Sequence, residues 1–164
     1  MTKISKVLEI ENCNKETLIK ALYNSEFWIT IKPTKEMEAE FISPNVLFTK
    51  VLDEINVVNV KIEMEGELIL IDKGEDVGKG RLIEFNVRNN KDVRELEGRI
   101  RVKSLSDSKS KIGVFIENFK LSSDFLNLIG GAADLTLQMK ITDMLRNLEK
   151  YCKSNNLNSF LEKQ

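Results

Sequence analysis

Histidine is absent from this chain of 164 residues. That absence removes the Ser-His and Cys-His nucleophile pairs, imidazole metal ligands and the commonest general base near neutral pH. Cysteine is scarce. Cys13 and Cys152 stand near opposite ends without CxxC spacing, a pattern that argues against zinc and for two reduced thiols. The longest apolar stretch, residues 125–145, is broken by Asp134, Lys140 and Asp143. No run therefore approaches the roughly 20 apolar residues that a bilayer span needs. Neither sign of charge predominates: Lys+Arg 25 against Asp+Glu 26 leaves a net charge of −1. Bulk attraction to nucleic acid or to an anionic membrane is not expected. The opening MTKISKVLEIE lacks the apolar stretch of a signal peptide. The expectation is a cytoplasmic protein with no nucleic-acid partner and at most transient membrane contact.

What is present suits a folded domain. Apolar residues make up 41% and charged residues 31%, a globular balance. At this length folding buries about 70% of the surface that the unfolded chain exposes. Residues 1–164 read as a single domain, with 154–164 as a loosely docked tail.

The hydrophobic period changes twice along the chain. Residues 3–11 alternate, with Ile4, Leu8 and Ile10 on one face, which predicts a strand. Asn14 caps a short helix whose Leu18, Ala21 and Leu22 form a stripe. Ser25 caps a second helix that stops before Pro33. From 35 to 121 the period is two. Met37, Ala39 and Phe41 alternate with glutamates, Ile83, Phe85 and Val87 share a face, and Leu96, Gly98, Ile100 and Val102 oppose Glu95, Glu97, Arg99 and Arg101. In KIGVFIENFKL two parities compete, Ile112, Val114 and Ile116 against Phe115, Phe119 and Leu121, and a bulge would switch between them. After Leu121 the period is helical to about residue 152, with Gly130-Gly131 inside for close packing or a kink.

Candidate chemistry is thin. Glu63, Glu65 and Glu67, like Glu95 and Glu97, look like grouped acids, yet period two turns each set to solvent. GEDVGKG resembles a phosphate-binding loop but has three residues, not four, before Gly-Lys and no Ser or Thr after it. A hairpin loop is the better reading. Asp72, Glu75 and Asp76 do not match a calcium loop. No metal or cofactor is expected.

The segments LIKALYNSEFW and DFLNLIGGAADLTLQMKITDMLRNLEKY, in this order of elements, are similar to the opening helix pair and long terminal helix of the START-like, helix-grip superfamily. That superfamily includes the birch-pollen allergen, polyketide cyclases and lipid-transfer domains. In detail the chain resembles a small thermoacidophile archaeal family associated with carrying fatty acids. The resemblance implies an α+β helix-grip fold: a curved seven-stranded antiparallel sheet around a long C-terminal helix, with two short helices after the first strand. It implies an apolar cavity that carries a long-chain fatty acid or similar small molecule, and no catalytic residue. On that reading the short helices give the cavity Phe27 and Trp28, and the sheet gives it Phe41, Ile62, Met64, Ile83, Phe85, Leu96, Ile100 and Phe119. The helix supplies Phe125, Leu128, Ala132, Leu135 and Met139, with Met139 facing Phe85. Arg81, on the parity of Ile83 and Phe85, or Lys50, on that of Phe48, would anchor a carboxylate. Phe27, Trp28, Gly130 and Gly131 would form a gate. With histidine missing, the expectation is a protein that is not an enzyme. A solid-core interaction module and a cyclase- or hydrolase-like enzyme are the alternatives.

Overall fold

The computed structural model describes residues 3–34, 36–55, 60–122 and 130–162, and the side chains of residues 52–64 fall outside that description. Strand β1 (Ile4–Glu11) leads into helices α1 (Lys15–Ala21) and α2 (Ser25–Thr30). Six strands follow: β2 (Met37–Ser43), β3 (Val46–Ile55), β4 (Val60–Asp76), β5 (Gly80–Arg88), β6 (Val93–Ser106) and β7 (Lys109–Leu121). The chain ends in α3 (Gly130–Ser154) and α4 (Leu157–Glu162). The seven strands form one antiparallel sheet in the order β1-β7-β6-β5-β4-β3-β2. Its two edges, β1 and β2, are neighbours in sequence, so the α1–α2 connection spans the sheet from edge to edge. That span closes one end of the concave side, while α3 packs along β1, β7 and β3.

Local chemistry explains the element boundaries. Asn14 caps α1, its Oδ1 accepting from Glu16 N at 3.0 Å and Thr17 N at 3.2 Å. The cap of α2 is Asn24, which accepts from Phe27 N at 3.1 Å, and not the expected Ser25. Ser25 Oγ instead accepts from Phe41 N at 2.9 Å and ties α2 to β2. The competing parities of β7 are resolved by a bulge: Glu97 pairs with Asn118 and Gly98 with Ile116, which makes Glu117 the extra residue of the bulge. Ile112 and Ile116 before the bulge and Phe119 and Leu121 after it are consequently all buried. GEDVGKG is a hairpin. Asp76 pairs with Gly80 across a turn in which Gly78 takes φ 79° and Gly80 φ 88°, backbone values that favour glycine.

Helix α3 buries one stripe against the sheet: Ala133, Ile141, Leu145, Leu148 and Cys152. The tail is docked, with Leu157 only 2% exposed and Phe160 edge-on to Tyr151 at 5.6 Å. Gly130 and Gly131 open the described part of α3, and the helical turns expected before them lie outside the described residues.

Candidate functional site: an apolar cavity between sheet and helix

A partly open cavity of about 190 Å³ lies between the concave face of the sheet and α3. Leu22, Phe27, Trp28 and Ile31, within and just after the short helices, form part of its wall. The sheet contributes Phe85, Leu96, Ile100, Val114 and Ile116 among others, and α3 contributes Leu137, Ile141, Met144, Leu145 and Leu148. Thr49 and Asn90 are the polar side chains in this wall, and no charged residue lines it among the described residues. Asn90 Oδ1 is engaged by Val93 N at 3.3 Å. The indole N–H of Trp28 donates to Leu22 O at 2.8 Å, so the ring offers the cavity only its apolar surface. Phe85 lies directly over Gly98, where a Cβ would come within 2.7 Å of the ring. Glycine is what lets this ring settle against the sheet. An engineered apolar cavity of about 150 Å³ stays dry and binds benzene, so a space of this size and lining favours an apolar occupant over water.

Of the residues expected from sequence, Phe27, Trp28, Phe85, Leu96 and Ile100 line the cavity. Ile83 and Phe119 are buried elsewhere in the core, Ala132 packs half-buried against it, and Phe41 stacks on Tyr23 at 6.2 Å. None of these four is in the wall. Leu135 and Met139 are 55% and 57% exposed on the outer face of α3, so Met139 does not face Phe85. At 100° per residue they stand about 200° away from Leu137 and Ile141, which take the inward positions. The helix is apolar on both faces, and periodicity alone does not say which one meets the sheet. Stepping back in threes and fours from Leu148 and Leu145 would have found Ile141 and Leu137. The side chains of Ile62 and Met64, and residues Phe125 and Leu128, lie outside the described residues.

Neither expected anchor reaches the cavity. Lys50 is exposed, because Thr49 and Val51 are the β3 residues that line it. Arg81 is committed to Asp72, with Nε to Oδ1 at 2.8 Å and Nη2 to Oδ2 at 2.5 Å. Those bonds, against some cost of burial, hold the Asp72 carboxyl below the usual carboxylate range. The grouped acids are likewise spent across strands at the surface. Glu67 accepts from Arg88 and Asn89, and Glu95 accepts from Asn118 beside Lys120.

No family model and no curated protein matches this sequence. Solved structures do. A START superfamily protein from Mycobacterium smegmatis superposes with a TM-score of 0.62 at 16% identity, covering 92% of this chain and 97% of that one. The fold is the START-like helix-grip. The Zhui aromatase/cyclase from a Streptomyces species shares it with a TM-score of 0.63 at 9% identity, covering 92% of both chains. A STAR-related lipid transfer protein from Xanthomonas axonopodis gives 0.58 at 10% identity, covering 91% of this chain and 84% of that one. At such identities these START-like neighbours share architecture alone. The expectation that a chain of this kind is not an enzyme is overturned by the aromatase/cyclase, which shows this architecture in a protein named as an enzyme. No helix among the described residues is long and apolar enough to cross a membrane.

Proposed function

We propose that this START-like chain binds an apolar small molecule between its sheet and α3, and that the ligand is a long-chain fatty acid. The observation that carries the reading is the cavity between sheet and α3, whose described wall is apolar apart from Thr49 and Asn90. An acyl chain gains about 0.8 kcal/mol for each methylene removed from water, so affinity needs no specific headgroup contact. Burying an unpaired carboxylate is costly, and the described wall holds no cation to meet it; the headgroup therefore stays in water at the rim. The space of about 190 Å³ lies below the roughly 300–1,000 Å³ usual for ligand pockets. Loading a long chain consequently requires the walls to part. We assign that opening to Phe27, Trp28 and the Gly130-Gly131 end of α3.

The test is a series of saturated fatty acids displacing a fluorescent apolar probe from delipidated protein. The dissociation constant should fall about fourfold per added methylene until the cavity is filled, then level off. Absence of binding, or affinity independent of length, overturns the reading. The aromatase/cyclase neighbour favours a second reading, in which the same cavity acts on a polycyclic or aromatic substrate. Extraction of the purified protein followed by mass spectrometry separates the two by the chemistry of what co-purifies.

A further inference from the structure

The wall of the apolar cavity carries one polar corner, built by three neighbouring strands and a turn. Thr49 on β3 stands opposite Ala39 on β2 and opposite Gly66 on β4, so small residues flank it on both sides. Paired positions project from the same face of a sheet, with side-chain roots about 4.5–5.5 Å apart. Gly66 has no side chain, and the Asn90 amide takes the space: a Cβ on Gly66 would come within 2.9 Å of Asn90 Nδ2. The turn is tied to β4 at this point, Lys91 N donating to Glu65 O at 3.0 Å. Thr49 and Asn90 are therefore neighbours, and both line the cavity. Asn90 Oδ1 is spent on Val93 N at 3.3 Å. Asn90 Nδ2 and the Thr49 hydroxyl have no hydrogen-bond partner among the described residues. No fully buried polar side-chain atom among those residues lacks a partner, so both groups reach accessible space.

Granted the apolar ligand proposed above, on which this rests, we propose that Thr49 and Asn90 bind one uncharged oxygen of that ligand, a hydroxyl or a carbonyl on an otherwise apolar molecule. Asn90 Nδ2 is a donor, and the Thr49 hydroxyl donates or accepts. A carbonyl oxygen accepts from both. A hydroxyl accepts from the amide and donates to Thr49. An anionic group is excluded, since no charged side chain lines the described wall to balance it. Water is a poor substitute: a buried water makes about three hydrogen bonds, and the corner offers only these two side chains. The plainer alternative is that Asn90 closes its turn and Thr49 suits a strand. That role uses Asn90 Oδ1 and the branched shape of Thr49, and it needs neither Nδ2 nor the hydroxyl.

The experiment compares stearic acid with derivatives that carry a hydroxyl or an oxo group at successive chain positions, each displacing a fluorescent apolar probe from the delipidated full chain. In a wholly apolar wall the added oxygen loses its water and finds no partner, which weakens binding about tenfold or more. Against Thr49 and Asn90, a derivative with its oxygen at the matching position should bind at least as tightly as stearic acid. Thr49→Val keeps the branched shape without the hydroxyl, and there the same derivative should weaken about tenfold relative to stearic acid. Asn90→Asp keeps the acceptor for Val93 N, removes the donor, and should lose the preference likewise. The ratio of the two affinities is the readout, so a general loosening of the cavity does not imitate the effect. Derivatives weaker than stearic acid at every position, or a preference that both variants retain, would overturn the proposal and leave an apolar ligand in place. Failure of stearic acid and every derivative to displace the probe would overturn both readings. The wild-type series decides whether or not either variant folds.

Discussion

Met139 and Ile141 are two residues apart on α3 and differ entirely in environment, at 57% and 7% exposed. Ile141→Ala should cost about 2–5 kcal/mol in chemical denaturation, and Met139→Ala should stay within about 0.5 kcal/mol of wild type. Similar losses at both positions would mean that the helix sits in a different rotation. Arg81 offers a second test. Because Asp72 titrates lower in the folded protein than in the unfolded chain, its pairing stabilises the fold above the unfolded carboxylate pKa of about 4 and is lost as pH falls through the folded value. Arg81→Leu should therefore be destabilised at neutral pH, and the gap to wild type should close on acidification. A gap that persists in strong acid would place the role of Arg81 in packing.

Strand β6 shows how a bulge and a glycine shape the cavity from below. Gly98 follows the register shift, and its missing Cβ leaves room for the Phe85 ring and for the carbonyl of Phe115 on β7. That carbonyl belongs to the ladder and does not yield. Gly98→Ala should cost about 1–3 kcal/mol and drive the Phe85 ring into the cavity, weakening binding of an apolar probe as well. Stability lost with probe affinity unchanged would separate Phe85 from the site. At the other wall, Gly130 and Gly131 begin the described part of α3. Replacing both with alanine favours helix by about 1 kcal/mol per position. If this end opens to admit ligand, uptake and release should slow together in stopped-flow fluorescence with little change in equilibrium affinity. Unchanged rates in a folded variant would leave the glycines as packing residues.

For the whole molecule, ligand and fold are thermodynamically linked. A ligand that binds only the folded protein at about 100 times its dissociation constant adds about 2.7 kcal/mol of stability. For a chain of this size that corresponds to a rise of about 5–10 °C in melting temperature. The rise should follow chain length in the same order as affinity. A fatty acid that binds without raising the melting temperature would be binding the unfolded chain equally well, not filling the cavity. The two edge strands joined by α1 and α2 make this coupling global, since Phe27 and Trp28 line the cavity and bridge the sheet at once.

The alternation of apolar and polar residues determined the seven strands, because a sheet with one wet face must repeat every two residues, and in β7 even the bulge was written as two competing parities. The Asn14 cap and the hairpin in GEDVGKG were legible for the same local reason. Rotation of α3 was not. Leu135, Leu137, Met139 and Ile141 are all apolar, and only the shape of the sheet selects Leu137 and Ile141 as the inward pair. Arg81 had the right parity for an anchor, but the pairing of β4 with β5 brought Asp72 against it. The hydrogen bond from Asn12 to the carbonyl of Cys152 was invisible for the most general reason: local patterns specify elements, whereas contacts between distant parts of a chain exist only after the elements have packed.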